Sequence, residues 1–413
     1  MSIGTRVARK MHIVKLMPDF LPVGGVEVIS LALAKDQLGR GNAVDLVLMT
    51  ETDNISSLAP DGLNVVYFRK RRLREAFPEL VRYLRKSRPN ILLASMWPIT
   101  SLAIVANFFA GSPAKVIVSD HNTLSIQYAR WGRAHRILLS ASIWLTYRFA
   151  SARVVVSNGV ARDVSRIAGL RSEQFHVIYN PVPLLMPTDA GREAAKKVWG
   201  GYSGAKILAV GRLKPQKNFV MLLNAFTKVV DKTDARLVIL GTGQLRRELE
   251  VHIGDLSLEG KAFLGGQVDD TAAWYESADI FVLSSDYEGF GNVLVEALAA
   301  GLPIVSTDCQ SGPAEILDKG KYGMLVPVGD ADAMADAILD QLSRNHSPDA
   351  LRQRAAEISG PSSLERYDTL FREVLSWENG KGITAEKTSV HAMAMQSAES
   401  AREAQRTSGA KEE

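Results

Sequence analysis

Cysteine is almost absent from this 413-residue sequence: Cys309 stands alone. An intramolecular disulfide and a cysteine-built metal site are both excluded. Following a short apolar run, Cys309 reads as a small packed residue rather than a nucleophile. No apolar run approaches the ~18 residues needed to cross a bilayer. The opening of the chain also lacks an apolar core followed by a small-residue cleavage site. A cytoplasmic location is expected. Large apolar residues become scarce only in the tail 378–413, rich in Ala, Ser, Glu, Lys and Gln, and that tail is expected to be disordered. Acidic residues are scarce in the first half. Residues 1–183 carry 24 Lys and Arg against 12 Asp and Glu, a net of +12 that the overall +4 conceals. A basic half implies an anionic neighbour.

The remaining 46% of hydrophobic residues is enough for two ordinary domains. Short apolar runs at His12–Met17, Ala43–Met49, Asn90–Ala94, Val116–Ser119 and Val154–Ser157 read as buried strands. Amphipathic stretches such as Val26–Leu38 and Glu79–Lys86 lie between them. The pattern is βα repeats on a parallel sheet. After the turn-rich Asn180-Pro181-Val182-Pro183 it restarts at Lys206–Val210, Arg236–Leu240, Ile280–Leu283 and Pro303–Ser306, and a last helix is expected at Leu364–Leu375. Two doubly wound α/β domains follow, 1–183 and 184–377. Such sheets bind ligands beyond their strand C-termini, so a shared interdomain cleft is the expected site.

Residues suited to an anionic ligand cluster at those strand ends. Gly211-Arg212-Leu213-Lys214-Pro215-Gln216-Lys217 follows one strand, and Arg212 and Lys217 there suit a diphosphate, the first as a fork and the second as a point charge. Glu288-Gly289-Phe290-Gly291-Asn292 follows another strand and opens a helix whose first N–H groups form an anion site. Glu296 sits within that helix. Taken singly, both carboxylates are equally consistent with complementing a helix dipole. Gly24 and Gly25 form a turn after the first strand, and His121 closes a third strand at the cleft edge. Each has an ordinary structural reading by itself. Asp330-Ala331-Asp332 looks like a metal-binding DxD, but its place before an Ala-rich helix fits capping better, and no metal ligand is assigned.

The combination is more specific than its parts. Glu288 and Glu296, with seven residues between, match the E-x7-E signature of retaining GT-B glycosyltransferases. The chain resembles family 4 of that group, the group 1 glycosyltransferases. The likeness runs from about His12 to Val328. It takes in Asp120-His121-Asn122, Val156-Ser157-Asn158-Gly159-Val160 and Tyr179-Asn180-Pro181-Val182, and it ends on Ala297-Leu298-Ala299-Ala300-Gly301-Leu302-Pro303. It implies a GT-B fold with an acceptor-side first domain and a donor-binding second domain. On the matching positions, Arg212 and Lys217 would hold the donor diphosphate beside Gly211. Glu288 would position the sugar, Glu296 the ribose, and His121 would reach the sugar from the opposite wall. The backbone of Gly24, Gly25, Phe290, Gly291 and Asn292 would approach phosphate or sugar, and Gln267 and Val268 would meet the base. The implied reaction is retaining and metal-independent, needs no cofactor because the nucleotide sugar is itself the substrate, and has no covalent adduct on Glu288.

The likeness favours a UDP-linked hexose or N-acetylhexosamine donor and a glycan or lipid-linked acceptor of bacterial surface polysaccharides. Arg69–Arg88 holds nine Lys or Arg with Leu73, Phe77, Leu80 and Leu84 interleaved, and Arg130–Arg148 mixes four Arg with Trp131, Trp144 and Tyr147. Both segments suit an anionic membrane, making the protein peripheral on the inner face. Nucleic acid is excluded as a partner, since no matching fold accompanies the charge. A nucleotide-sugar epimerase of the same architecture and a two-lobed binding protein remain as alternatives.

Overall fold

The computed structural model describes residues 10–376 except 21–24, 52–54, 56–57 and 184–185, so Gly24 and the tail 378–413 lie outside the described residues. Seven strands form the first sheet: β1 (His12–Met17), β2 (Ala43–Leu48), β3 (Asn64–Tyr67), β4 (Ile91–Ser95), β5 (Lys115–Asp120), β6 (Ala152–Val155) and β7 (His176–Val177). Their order is β3-β2-β1-β4-β5-β6-β7. The second sheet contains β8 (Ala205–Val210), β9 (Ala235–Leu240), β10 (Ala262–Gly266), β11 (Ile280–Leu283), β12 (Ile304–Thr307) and β13 (Met324–Val326), in the order β10-β9-β8-β11-β12-β13. The pairings among these strands are parallel. Two doubly wound Rossmann-like domains result. In each, the order reverses between the first and fourth strands, β1 and β4 or β8 and β11, and the crevice opens there.

The interior strands are covered on both faces. Ile91, Leu92, Leu93 and Ala94 of β4 are fully buried, as are Leu237, Val238 and Ile239 of β9. Helices stop and start where local chemistry directs. Ser157 accepts from Val160 N at the head of the helix Asn158–Ala168, which ends at Gly169 with φ 63°. Asp330 accepts from Ala333 N at 2.9 Å, so the Asp330-Ala331-Asp332 sequence caps a helix. Cys309 is buried, and burial pushes its thiol up to about 12, as suits a packing residue.

The chain then crosses back to where it began. The helix Pro361–Ser376 packs Tyr367, Leu370, Phe371 and Val374 onto Met11, Ile13, Ile91, Leu93 and Ile117 of the first sheet. Arg366 also donates to the carbonyl of Val177 at 2.7 Å. This helix, counted from the sequence with residues 184–377, thus packs on the first sheet: an amphipathic stripe declares that a helix packs, not against what. Replacing the fully buried Phe371 by Ala is expected to cost ~3–5 kcal/mol in urea denaturation. A loss below ~1 kcal/mol would mean the helix is not part of the first domain's core.

Candidate active site

Two loops of the second domain are laced together at the crevice. After β8 the chain makes the turn Pro215–Lys217, and after β11 it passes through Ser284 and Ser285 into Glu288. Gln216 Nε2 donates to Tyr287 O at 2.7 Å, and Ser284 Oγ donates to Lys217 O at 2.7 Å. Between the loops, Lys217 Nζ lies 2.7 Å from Glu288 Oε1, which also accepts from Ser285 Oγ at 2.7 Å. Glu288 is 7% exposed, so this carboxylate depends on its partners. Gly211 leaves room for the lysine, since a Cβ there would lie 3.0 Å from Lys217 Cε.

Arg212 is exposed and, among the described residues, its side chain makes no hydrogen bond or ion pair. Burial and then Lys217 lower the Lys214 amine to about 8, while Glu288 and Glu27 oppose the shift. Three cations thus stand on one loop next to a helix start. The helix Asn292–Ala300 begins after Gly291, whose φ of 102° calls for glycine, and no side chain caps its N–H groups. Such an arrangement of two elements suits an anion. Glu296, inside the same helix, accepts from Tyr275 Oη at 2.9 Å. Burial raises its carboxyl pKa, and Tyr275 and Lys217 work against that.

The first domain supplies the opposite wall. The helix Gly25–Gly39 starts so close to Asn292 that a Cβ on Gly25 would meet Asn292 Nδ2 at 3.0 Å, and two helix starts face each other. Asn180 Nδ2 donates to Asn292 Oδ1 at 2.8 Å. His121 ends β5 with its Nε2 3.0 Å from Ser119 Oγ. Burial and the Lys15 ammonium lower its pKa to about 3, so its ring is neutral. Its neighbour Asp120 accepts from Tyr147 Oη at 2.9 Å, and burial pushes that carboxyl up to about 7. The Glu288–Asn292 loop is pinned from this side: Thr123 Oγ1 donates to Glu288 O at 3.0 Å and Ser157 Oγ to Gly289 O at 2.7 Å. Phe290 is buried and stacks on Tyr179 at 5.2 Å.

The structure therefore brings Lys217, Glu288, Gly211, Gly25, Gly291, Asn292 and the backbone beside His121 into one place. Gln267 and Val268 stand apart, after β10, with Gln267 exposed and Val268 packed on the core. They connect to the site through Asp270, which caps the helix Thr271–Ser277 carrying Tyr275 to Glu296. Sequence reasoning missed Ser285, Tyr275, Lys15 and Ser95. Lys15 did leave a signal, as a charge inside an otherwise apolar strand, whereas Tyr275 left none.

A family model described as glycosyl transferases group 1 matches residues 204–344, and one described as glycosyltransferase family 4 matches residues 23–184. The chain belongs to the family 4, group 1 glycosyltransferases. One similar protein is the N-acetylgalactosamine-N,N'-diacetylbacillosaminyl-diphospho-undecaprenol 4-alpha-N-acetylgalactosaminyltransferase of Campylobacter jejuni. It is 29% identical over 254 residues, 62% of this chain and 67% of that protein. Another is the lipopolysaccharide core biosynthesis glycosyltransferase LpsE of Rhizobium meliloti, 32% identical over 171 residues, 41% of this chain and 49% of that one. The likeness thus spans about two-thirds of the first and half of the second. Anabaena HepE, solved in complex with UDP, superposes with a TM-score of 0.74 at 20% identity, covering 88% of this chain and all of HepE, which shows the shared GT-B fold.

In this glycosyltransferase the Lys217–Glu288 pair is buried enough to be tested by removing one half. Lys217→Met is expected to lose ~3–5 kcal/mol in urea denaturation, because Glu288 is left unpaired. The double variant Lys217→Met/Glu288→Leu should lose less than the single one. A double-variant loss equal to the sum of the Lys217→Met and Glu288→Leu losses would show that the pair is not coupled.

Proposed function

We propose that this glycosyltransferase moves a hexose or N-acetylhexosamine from a UDP-sugar to a glycan or lipid-linked acceptor with retention of anomeric configuration. The observation that carries the reading is Lys217 held on Glu288 at an uncapped helix start, with Arg212 exposed beside it. As the bond from the anomeric carbon to the diphosphate breaks, charge develops on the departing phosphate. Lys217 and the first-turn N–H groups of the helix Asn292–Ala300 are fixed in advance to receive it, and the exposed Arg212 side chain can close onto it. A divalent metal is unnecessary where cations already fill that role. Glu288 keeps its second oxygen for a sugar hydroxyl, and Glu296 has an oxygen for the ribose beyond the one Tyr275 occupies. The acceptor hydroxyl attacks from the leaving-group face and passes its proton to the departing phosphate, so no glycosyl–enzyme bond forms. The UDP complex of HepE and the diphospho-undecaprenol named for the Campylobacter relative support these choices of donor and acceptor.

A membrane-bound acceptor also explains an exposed face of the first domain. The helix Arg133–Thr146 leaves Ile137, Leu138, Trp144 and Leu145 exposed and Phe149 follows, while the exposed Phe108 and Phe109 end the helix Ile99–Phe109, where Phe109 meets Phe77 of the helix Leu73–Ser87. No Asp or Glu occurs between Asp120 and Asp163, while Arg130, Arg133, Arg136 and Arg148 do. Two copies of such a patch would repel, whereas anionic lipid suits it. The Arg69–Arg88 segment is different. The helix Leu73–Ser87 buries Ala76, Leu80 and Leu84, leaving charge but no large exposed apolar residue, so it contributes attraction rather than insertion.

Product analysis by proton NMR should show the donor's anomeric configuration and a rate unchanged by EDTA, with donor alone left unconverted. Arg212→Ala should lower kcat by on the order of 10²–10³-fold. An inverted product, or a mass increment of one sugar on Glu288, would overturn the mechanism. For the membrane, Trp144→Ala/Phe149→Ala should abolish sedimentation with anionic liposomes while the thermal shift with UDP-sugar stays. Arg71→Glu/Arg72→Glu/Arg74→Glu should only weaken it. Unchanged sedimentation of the aromatic variant would remove the membrane from the reading.

A further inference from the structure

Lys15 is a buried cation that the transfer reaction as derived above does not use. It lies in β1, 6% exposed, and donates to Ser95 Oγ at 2.5 Å. Register puts it on a polar seam: Lys15 pairs with Leu93, Ser95 pairs with Ser119, and residues two apart on a strand share a face. Lys15, Ser95, Ser119 and His121 are therefore neighbours along one side of the sheet, leading to the cleft.

The hydrogen bonds along this seam favour one proton arrangement at His121. Burial lowers the Lys15 amine to about 7; in its protonated form it can only donate, and Ser95 Oγ is then the acceptor in their bond. The serine's own proton then points to its other partner among the described residues, His121 Nε2, at 3.4 Å. Ser119 Oγ lies 3.0 Å from the same nitrogen. Burial together with the positive charge of Lys15 keeps the imidazole neutral. A neutral ring whose Nε2 accepts carries its proton on Nδ1. That Nδ1 is buried and has no hydrogen-bond partner among the described residues. Such a group is costly to leave unpaired, and buried orphans of this kind mark places where a ligand completes the bonding. His121 follows the strand end, and its carbonyl lies where a Cβ on Gly289 would be 2.0 Å away, so the residue carrying the orphan packs its backbone against the Glu288 loop.

We propose that Lys15 is a positioning residue for sugar recognition: acting through Ser95, it holds His121 in the tautomer whose Nδ1–H donates to a hydroxyl of the transferred sugar. The proposal rests on the cleft being a donor site. Without Lys15, Ser95 can turn its proton elsewhere and accept from Nε2–H, which reverses the ring and offers the sugar an acceptor instead of a donor. The amine thus sets hydrogen-bond polarity at a distance without touching substrate.

The test is nitrogen NMR of the full chain labelled with ¹⁵N-histidine, with the His121 signals assigned by their loss in His121→Gln. In the unaltered protein Nδ1 should be the protonated nitrogen and Nε2 the bare one. Lys15→Met, similar in length but without donors, should move the proton to Nε2 in part or wholly. Ser95→Ala, which cuts the relay while keeping the lysine, should do the same if Lys15→Met folds poorly. In either variant UDP should bind as before, while UDP-sugar loses about tenfold in affinity, the share of one neutral hydrogen bond. A protonated Nε2 in the unaltered protein, or an unchanged tautomer in both variants, overturns the relay. Failure of every nucleotide sugar to bind the unaltered protein would instead overturn the donor site on which it rests, and the NMR result distinguishes the two.

Discussion

The ion pair between Lys217 and Glu288 is the constraint around which the cleft is built. A carboxylate that is 7% exposed pays heavily for leaving water, and a lysine 2.7 Å away is what makes it tolerable. Each partner comes from a different strand end, so the pair also fixes the β8 and β11 loops relative to each other. Gln216 and Ser284 repeat that lacing through the backbone. A lysine committed to one carboxylate oxygen still has two protons for an incoming phosphate. The pair therefore holds a cation ready while keeping it from collapsing onto the wrong partner.

The same loop is held from the other domain by close backbone approach. Gly289 has no room for a side chain, because a Cβ would sit 2.0 Å from His121 O, and from within the second domain Gly312 crowds the same loop, where a Cβ would sit 1.9 Å from Phe290 O with φ at 94°. Thr123 and Ser157 bond the carbonyls of Glu288 and Gly289. Glu315 reaches the start of the helix Asn158–Ala168, accepting from Asn158 N and Gly159 N at 2.9 Å each. Charge at a helix start and backbone contacts thus do across the domain boundary what the ion pair does within one domain. The geometry of sugar recognition is tied to how the two domains meet.

The interior of both sheets was legible in the sequence and the edges were not. Runs such as His12–Met17 and Ile280–Leu283 coincide with strands because both faces are buried, and every position must then be apolar. The four strands that were not read as strands, β3, β7, β10 and β13, are the outer strands of the two sheets. Their residues are mostly half-buried, so apolar continuity is lost. In the site, residues that follow buried strands could be found by position, as Arg212, Lys217, Glu288 and His121 were. Tyr275 could not, because it reaches Glu296 from a helix whose own sequence says nothing about that contact. The last helix showed its apolar stripe but not its destination. Lys15 was visible and passed over: it was absorbed into an apolar run although a lysine is seldom fully buried without a reason.

The charge asymmetry of the sequence acquires a different meaning once it is placed in space. Residues 184–413 are net acidic, with 25 Lys and Arg against 33 Asp and Glu, yet Arg212, Lys214 and Lys217 stand together at the edge of the crevice. Net charge of a domain is thus silent about the sign of its site; what matters is which charges share a strand end. In the first domain the excess basicity lies partly on the segment that follows His121. From Thr123, which touches Glu288, the chain runs without an acidic residue through Arg130 to the exposed Trp144 and Phe149. Under the proposed function this continuity has a physical use. A diphosphate-linked acceptor seated in an anionic membrane would meet cations and aromatic surface along one segment, and that segment starts on the backbone of the residue whose side chain holds Lys217 in place.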